Sequence, residues 1–392
     1  MARSSRRAAV AVLAAGLAVT AAGPALGAPP HSPDTGVDAP RLAKDRTAEA
    51  VLAGMTLRQR VGQLFMVGTP ATSASPAALD AISRRHVGNV MLTGRSYAGT
   101  TTPARVAAAM QARTGRAATD DVRLLVATDQ EGGLVQVLHG PGLAEVPSAL
   151  EQGHWLPSRL RERAGVWARQ LRRAGVNMNL APVLDTVPGE RAARDNPPIG
   201  VYDREFGYRV RVVARHGRAF ALGMSEHGVV PTVKHFPGLG RVHANTDTAS
   251  GVTDWVTTRH DAYLRPFAAA VRAGVPVVMM STAYYHRIDP DRPAAFSPFV
   301  VGRVLRGDLG FRGVVMSDDL ADARQVAGWS RGARAVQFLR AGGDLVLTVD
   351  PDALPAMYDA VLDRAAHDRV FRRKVDAAAL RVLTLKQYRR LL

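Results

Sequence analysis

The sequence predicts an α/β protein folded as a single-domain (β/α)8 barrel of TIM type. Eight short apolar runs recur along the chain, and amphipathic stretches of helical length lie between them. No glycine-rich dinucleotide fingerprint follows the first run. The same periodicity would allow an open doubly wound sheet, but the count of eight strand–helix units favours closure.

The predicted strands are, in order, Val61–Val67, Asn89–Leu92, Arg123–Thr128, Met178–Leu184, Val229–His235, Val275–Ser281, Gly313–Ser317 and Asp344–Thr348. Each is apolar or β-branched throughout rather than alternating, as strands buried on both faces are. Helices are predicted over Arg159–Ala174, Arg209–Met224, His260–Ala273 and Arg331–Ala341. The C-terminal stretch Asp359–Leu392 carries nine basic and four acidic residues at helical spacing, which reads as an outer helix with solvated arginines.

The ends of the chain complete the organisation. Arg3, Arg6 and Arg7 precede an uncharged stretch from Ala8 to Gly23 and the small residues around Ala25-Leu26-Gly27. That is the layout of an export signal, so residues 1–28 are expected to be a signal peptide. The apolar stretch is glycine-rich and short for a membrane span, and no stable membrane insertion is expected after cleavage. Residues 29–50, rich in proline, alanine and charge, read as a flexible leader. Residues 51–392 remain for the barrel and its C-terminal helices. The expected product is a secreted monomer.

Composition narrows the chemistry. There is no cysteine in the 392 residues, which excludes disulfides, a thiol nucleophile and cysteine-ligated metal sites. The formal net charge is +17, from 51 basic and 34 acidic side chains. Charge alone would permit a nucleic-acid or acidic-polymer partner. The chain has no recognition-helix motif and no aromatics interleaved with a basic cluster, so nucleic acid is not expected. Four of the basic residues are lysines (Lys44, Lys234, Lys374 and Lys386), and arginine supplies the other 47. A lysine at a strand end in such a chain suggests that a compact amine is wanted there.

In a barrel the chemistry sits at the C-terminal ends of the strands. The polar residues at or just past the runs are Asp129, Glu131, Asp185, Lys234, His235, Ser281, Asp318, Asp319 and Asp350. An acid in this place can simply cap the next helix, the reading preferred for Asp185, Asp319 and Asp350. Carboxylates from different strands around a cationic pair suit glycoside hydrolysis, in which one carboxylate attacks the anomeric carbon and another group protonates the leaving oxygen. No HExxH or HxH element is present to favour a metal site.

Val-Lys-His-Phe-Pro-Gly-Leu-Gly (233–240) together with Val-Met-Ser-Asp-Asp-Leu (315–320) resembles glycoside hydrolase family 3, in its single-barrel bacterial β-N-acetylhexosaminidase form. Supporting segments lie at 55–68, 129–133 (Asp-Gln-Glu-Gly-Gly), 179–185, 196–207 and 309–315. Family members of β-glucosidase type carry a second domain that supplies the acid/base, and no segment here is long enough for one. The resemblance implies a retaining enzyme without metal or organic cofactor, acting on cell-wall or chitin-derived carbohydrate. It implies Asp318 as the nucleophile, and Asp129, Arg204, Lys234 and His235 as binders of sugar hydroxyls.

Two departures from the family pattern stand out. The loop after the Lys-His strand, 238–249, places Asp247 where the family has its aspartate, but Ala249 where the family has the proton-transferring histidine. Three readings follow: His243 swings in as the acid/base partner, Asp247 serves as the acid itself, or the protein binds glycans with impaired hydrolysis. Losing a general acid typically costs about 10²–10⁴-fold. The second departure is Leu134-Val135-Gln136-Val137, where the family commonly has Arg-Val-x-Arg. It opens the same site to another sugar, such as glucose or xylose. A phosphorylase is a further alternative, with Arg241 holding the anion.

Overall fold

Eight parallel strands close into a barrel in strict chain order. They are β1 (Phe65–Pro70), β2 (Asn89–Thr93), β3 (Leu125–Thr128), β4 (Met178–Asn179), β5 (Val230–Phe236), β6 (Val277–Met280), β7 (Val314–Asp319) and β8 (Leu345–Thr348). The closing pair is β1 with β8, in the register Phe65↔Val346. The computed structural model describes residues 46–392. The expected signal peptide, and the leader up to residue 45, lie outside the described residues. The first helix, Ala48–Gly54, is capped by Thr47, so the folded part reaches back into the segment read as leader.

The strand interiors carry the apolar runs for a physical reason. One face of each strand points into the barrel, where Met66, Met91, Met178, Met279 and Met316 pack with Leu125, Leu180, Leu345 and Leu347. The other face meets the surrounding helices in a larger cluster that includes Trp167, Phe220, Phe267 and Phe338. Burying each such side chain stabilises the fold by roughly 1.5–3 kcal/mol before entropy is counted.

The three largest boundary differences from the sequence reading have local causes. Leu57–Gln63 is a helix, not the start of β1. Thr56 and Gln59 form a reciprocal capping box at its N-terminus, a local signal that outweighs the apolar run. β4 is two residues long, because Pro182 lacks the N–H that would extend the ladder. The chain still follows β5, with Thr232 N–H donating to the Ala181 carbonyl and Leu184 N–H to that of Lys234. The helix expected from His260 begins at Arg265, after a short turn capped by Asp261.

The C-terminal region ends in two helices: Leu354–His367 packs in the outer core, and Arg369–Tyr388 brings Val382 and Leu385, with Leu391 beyond it, against the lower end of the barrel interior. Not all of its basic residues are solvated, as the sequence had suggested. Arg381 and Arg306 both pair with fully buried Asp344, at 2.8 and 2.6 Å. Lys386 is fully buried, its Nζ donating to Gln63 Oε1 and to the Gly88 carbonyl, each at 2.7 Å.

Candidate active site

The upper end of the barrel opens into a cavity of about 500 Å³, within the range of small-ligand clefts. Met91, Leu180, Met279 and Leu347 form its apolar floor, continuous with the barrel interior. Its walls bring together Asp129, Arg204, Lys234, His235, Asp247 and Asp318. Six of the seven site residues expected from the sequence therefore share one cavity.

Four charged groups form an alternating ladder along one wall. The Lys234 ammonium lies 2.6 Å from Asp129 Oδ1 and 2.6 Å from Glu131 Oε1. Glu131 in turn receives a two-pronged bond from Arg204, Nε to Oε2 at 2.9 Å and Nη2 to Oε1 at 2.8 Å. Arg204 also donates to the Pro198 carbonyl, so it is a built part of the wall and not a solvated helix arginine. Burial alone would push Glu131 up, but Arg204 and Lys234 overcome it and hold the carboxyl down at about 2. Burial likewise works against the Lys234 charge, and Asp129 and Glu131 outweigh it, raising its pKa. Both cations thus stay charged, and Asp129 is the ladder member most open to the cavity.

His235 is held by Asp185, which corrects the helix-cap reading of that acid. Asp185 Oδ2 lies 2.7 Å from His235 Nδ1, and Oδ1 accepts the N–H groups of His235 and Leu239. The carboxylate is wholly buried and fixes both the ring and the start of the following loop. Sequence reasoning missed this role, as it did that of Glu131. Asp350 does cap a turn, accepting from Asp352 N–H. Asp319 spends its carboxylate on the N–H groups of Ala321, Asp322 and Val349.

That ordering leaves Asp318, next along β7, facing the cavity, with Oδ1 accepting the N–H of Asp319. Opposite comes Asp247 from the loop after β5. The loop runs so close to the chain at Thr186 that a Cβ on Gly240 would sit 2.0 Å from the Thr186 carbonyl oxygen. Asn196 donates to the carbonyls of Leu239 and Val242. Arg324 and Gln325, which follow β7, donate their N–H groups to the carbonyls of Asp247 and Thr246. The loop is thereby clamped to the strand end that carries Asp318.

Asp247 is reachable by water because the cavity is open, yet protein surrounds its carboxyl on most sides. That enclosure, followed by repulsion from Asp318, pushes it up to about 6 against the pull of His235, Arg204 and Lys234.

His243 is not brought in with the others. It is exposed, absent from the cavity lining, and its Nδ1 sits 3.3 Å from the Asp195 carbonyl oxygen. Ala249 is also absent from the lining and packs against the outer core. Arg241, considered above as an anion holder, is engaged elsewhere. It bonds Asp261 Oδ2 at 2.7 Å and Thr257 Oγ1 at 3.1 Å, and lies 3.6 Å from the centre of the Tyr263 ring. At the positions of the two missing family arginines, Leu134 is exposed and Val137 is buried in the outer core, while Val135 between them lines the cavity.

Residues 56–385 match the N-terminal domain of glycosyl hydrolase family 3. A β-hexosaminidase of Xylella fastidiosa (strain 9a5c) is 34% identical over 313 residues, covering 78% of this chain and 88% of the relative. A β-hexosaminidase of Xanthomonas axonopodis pv. citri is 32% identical over 310 residues, covering 77% and 88%. Among solved structures, a β-N-acetylhexosaminidase from Beutenbergia cavernae superposes with a TM-score of 0.84 at 52% identity, covering 85% of this chain and 98% of its own.

Proposed function

The chain belongs to glycosyl hydrolase family 3 and is a glycoside hydrolase, and from that premise we propose a retaining exo-β-N-acetylglucosaminidase that is exported and works as a monomer on cell-wall or chitin-derived glycans. The observation that carries this reading is the meeting of Asp318 and Asp247 across one cavity, beside the Asp129–Lys234–Glu131–Arg204 ladder.

In the first step an Asp318 oxygen attacks the anomeric carbon, and the bond from that carbon to the leaving oxygen breaks. Asp247, held as the acid by its raised pKa, gives its proton to that oxygen. The product is a glycosyl ester on Asp318 and a free alcohol. In the second step water attacks the same carbon while the Asp247 carboxylate takes a proton from it, and Asp318 leaves as a carboxylate. Asp129, Lys234, His235 and Arg204 bind the hydroxyls of the sugar being transferred. Glu131 and Asp185, held behind them, fix the cations and the ring.

Of the three acid/base readings, the geometry supports Asp247. Its carboxyl lines the cavity, and His243 does not. A phosphorylase draws no support from Arg241, which is already paired with Asp261. Export is supported by the sequence of residues 1–28, and the acetamido sugar by the named activities of the relatives.

The test is a screen of 4-nitrophenyl β-glycosides (N-acetylglucosaminide, glucoside and xyloside) with and without phosphate. Preference for the acetamido sugar, independent of phosphate, is the expected outcome. Faster turnover of the glucoside or xyloside would reassign the sugar, and phosphate dependence would reassign the reaction.

A further inference from the structure

We infer that Tyr202 is the platform for the leaving group, stacking on the sugar ring beyond the scissile bond and so favouring a saccharide over a small aglycone. The inference rests on the hydrolase reading of the cavity and adds where the departing half of the substrate sits.

The site constrains that position. The transferred sugar is held by Asp129, Lys234, His235 and Arg204, and its anomeric carbon must face Asp318. The leaving oxygen must then lie within reach of the proton on Asp247, so the departing ring is on the Asp247 side of the cavity. Two segments pack against the loop that carries Asp247: 322–325, through Arg324 N–H to the Asp247 carbonyl, and 195–204, the one of the two that presents a ring to the cavity. Asn196 ties it to the Asp247 loop through the carbonyls of Leu239 and Val242, and its own Oδ1 accepts Gly200 N–H. The His243 ring touches the Asp195 carbonyl at 3.3 Å, and the charge of Arg204 is felt at Asp247. Tyr202 ends the short helical turn Gly200–Tyr202 on this segment.

Tyr202 is also the one phenol or indole ring among the described residues lining the cavity. It is 42% exposed, whereas the large aromatics of the core are covered. An aromatic face open to water beside a sugar cavity meets the C–H face of a pyranose, gaining apolar contact without giving up hydroxyl hydrogen bonds. Asn245, which lines the cavity beside Asp247, offers an amide to hydroxyls on the same departing ring. Asp203 follows with a positive φ of 52° and turns the chain so that Tyr202 and Arg204 both reach the cavity, one for each half of the substrate.

The test compares two donors of the glycosyl group that the aryl screen identifies, the β-linked disaccharide and the β-glycosyl fluoride. The fluoride has no ring beyond the scissile bond and needs no acid assistance. For Tyr202→Ala, kcat/KM on the disaccharide is expected to fall about tenfold or more relative to kcat/KM on the fluoride. Tyr202→Phe should restore the wild-type ratio, because the ring and not the hydroxyl is used. Equal losses on both donors would show that Tyr202 only supports Arg204 and would overturn the inference, as would an unchanged ratio. If the unaltered enzyme turns over no glycosyl fluoride or disaccharide, the hydrolase reading falls and takes this inference with it. That result is distinguishable because it appears before any substitution is made.

Discussion

Two buried lysines mark the two ends of the barrel and show how differently the fold treats the same side chain. At the mouth, Lys234 sits between Asp129 and Glu131, both at 2.6 Å, and its pKa is raised. At the foot, Lys386 meets only the neutral oxygens of Gln63 and Gly88, and burial pushes its pKa well below the usual lysine value. Burial is near complete for both. Opposite charge therefore decides the direction of each shift, since nearby carboxylates raise the pKa of Lys234 while burial without one lowers that of Lys386. The mouth holds permanent charge for binding a polar ligand, and the foot is a packing and hydrogen-bonding device.

The largest expected effect lies at the mouth. Asp247→Asn should lower kcat/KM on the disaccharide by about 10²–10⁴-fold, with a much smaller loss on the glycosyl fluoride. In the unaltered enzyme, activity on the disaccharide should fall as pH rises through about 6, where Asp247 loses its proton. That alkaline limb should be absent with the fluoride. Rate profiles from pH 4 to about 9 read both effects. Persistence of the limb in Asp247→Asn would give the acid role to another group.

Next comes the contrast between the lysines. Lys234→Met leaves Asp129 and Glu131 facing each other without their shared cation, and kcat/KM should drop by about 10²–10³-fold. Lys386→Met should leave kcat/KM within about twofold, since it touches no cavity residue, and should act on stability. Its sign follows from linkage. A lysine whose folded pKa is depressed binds fewer protons in the native state than in the unfolded one, so wild-type stability gains as pH rises toward the unfolded value of about 10.5. The Tm difference between wild type and Lys386→Met should therefore move in favour of wild type between pH 7 and about 10, measured by thermal denaturation. A difference independent of pH would mean that Lys386 is charged in the fold.

The smallest effect is expected at Glu205, beside the ladder but not part of it. It is fully buried, with no hydrogen-bond partner on either carboxylate oxygen among the described residues. Burial pushes its pKa up to about 7, with Asp203 and Asp185 adding to the shift. A raised carboxyl pKa favours the folded state at low pH and loses that contribution as pH rises through about 7. Glu205→Gln should thus raise Tm at pH 8 by roughly 2–5 °C and change it little at pH 5. Equal shifts at both pH values would contradict the buried-acid account.

How much of this was legible in the sequence differs between the same two ends. The apolar runs revealed the strands, because residues buried on both faces leave no polar alternation. The rarity of lysine drew attention to Lys234, and the Ser-Asp-Asp context to Asp318. The same rarity applied equally to Lys386, whose helix was read as solvated. Its burial depends on Gln63 and Gly88, about three hundred positions away. Glu131 and Asp185 were missed as positioning groups for a related reason. A carboxylate after a strand reads as a helix cap, and only folding shows that Asp185 meets His235, far along the chain. The 238–249 loop was ambiguous because nothing local says which of His243 and Asp247 faces inward. The contacts of Asn196, Arg324 and Gln325 with that loop decide it.

The most direct measurement is trapping of the glycosyl intermediate. A 5-fluoro-β-N-acetylglucosaminyl fluoride slows the second step more than the first, and peptide mass spectrometry then locates the sugar. The account predicts one adduct, on Asp318, formed also by Asp247→Asn. An adduct on another residue, or inactivation without any covalent adduct, would contradict it.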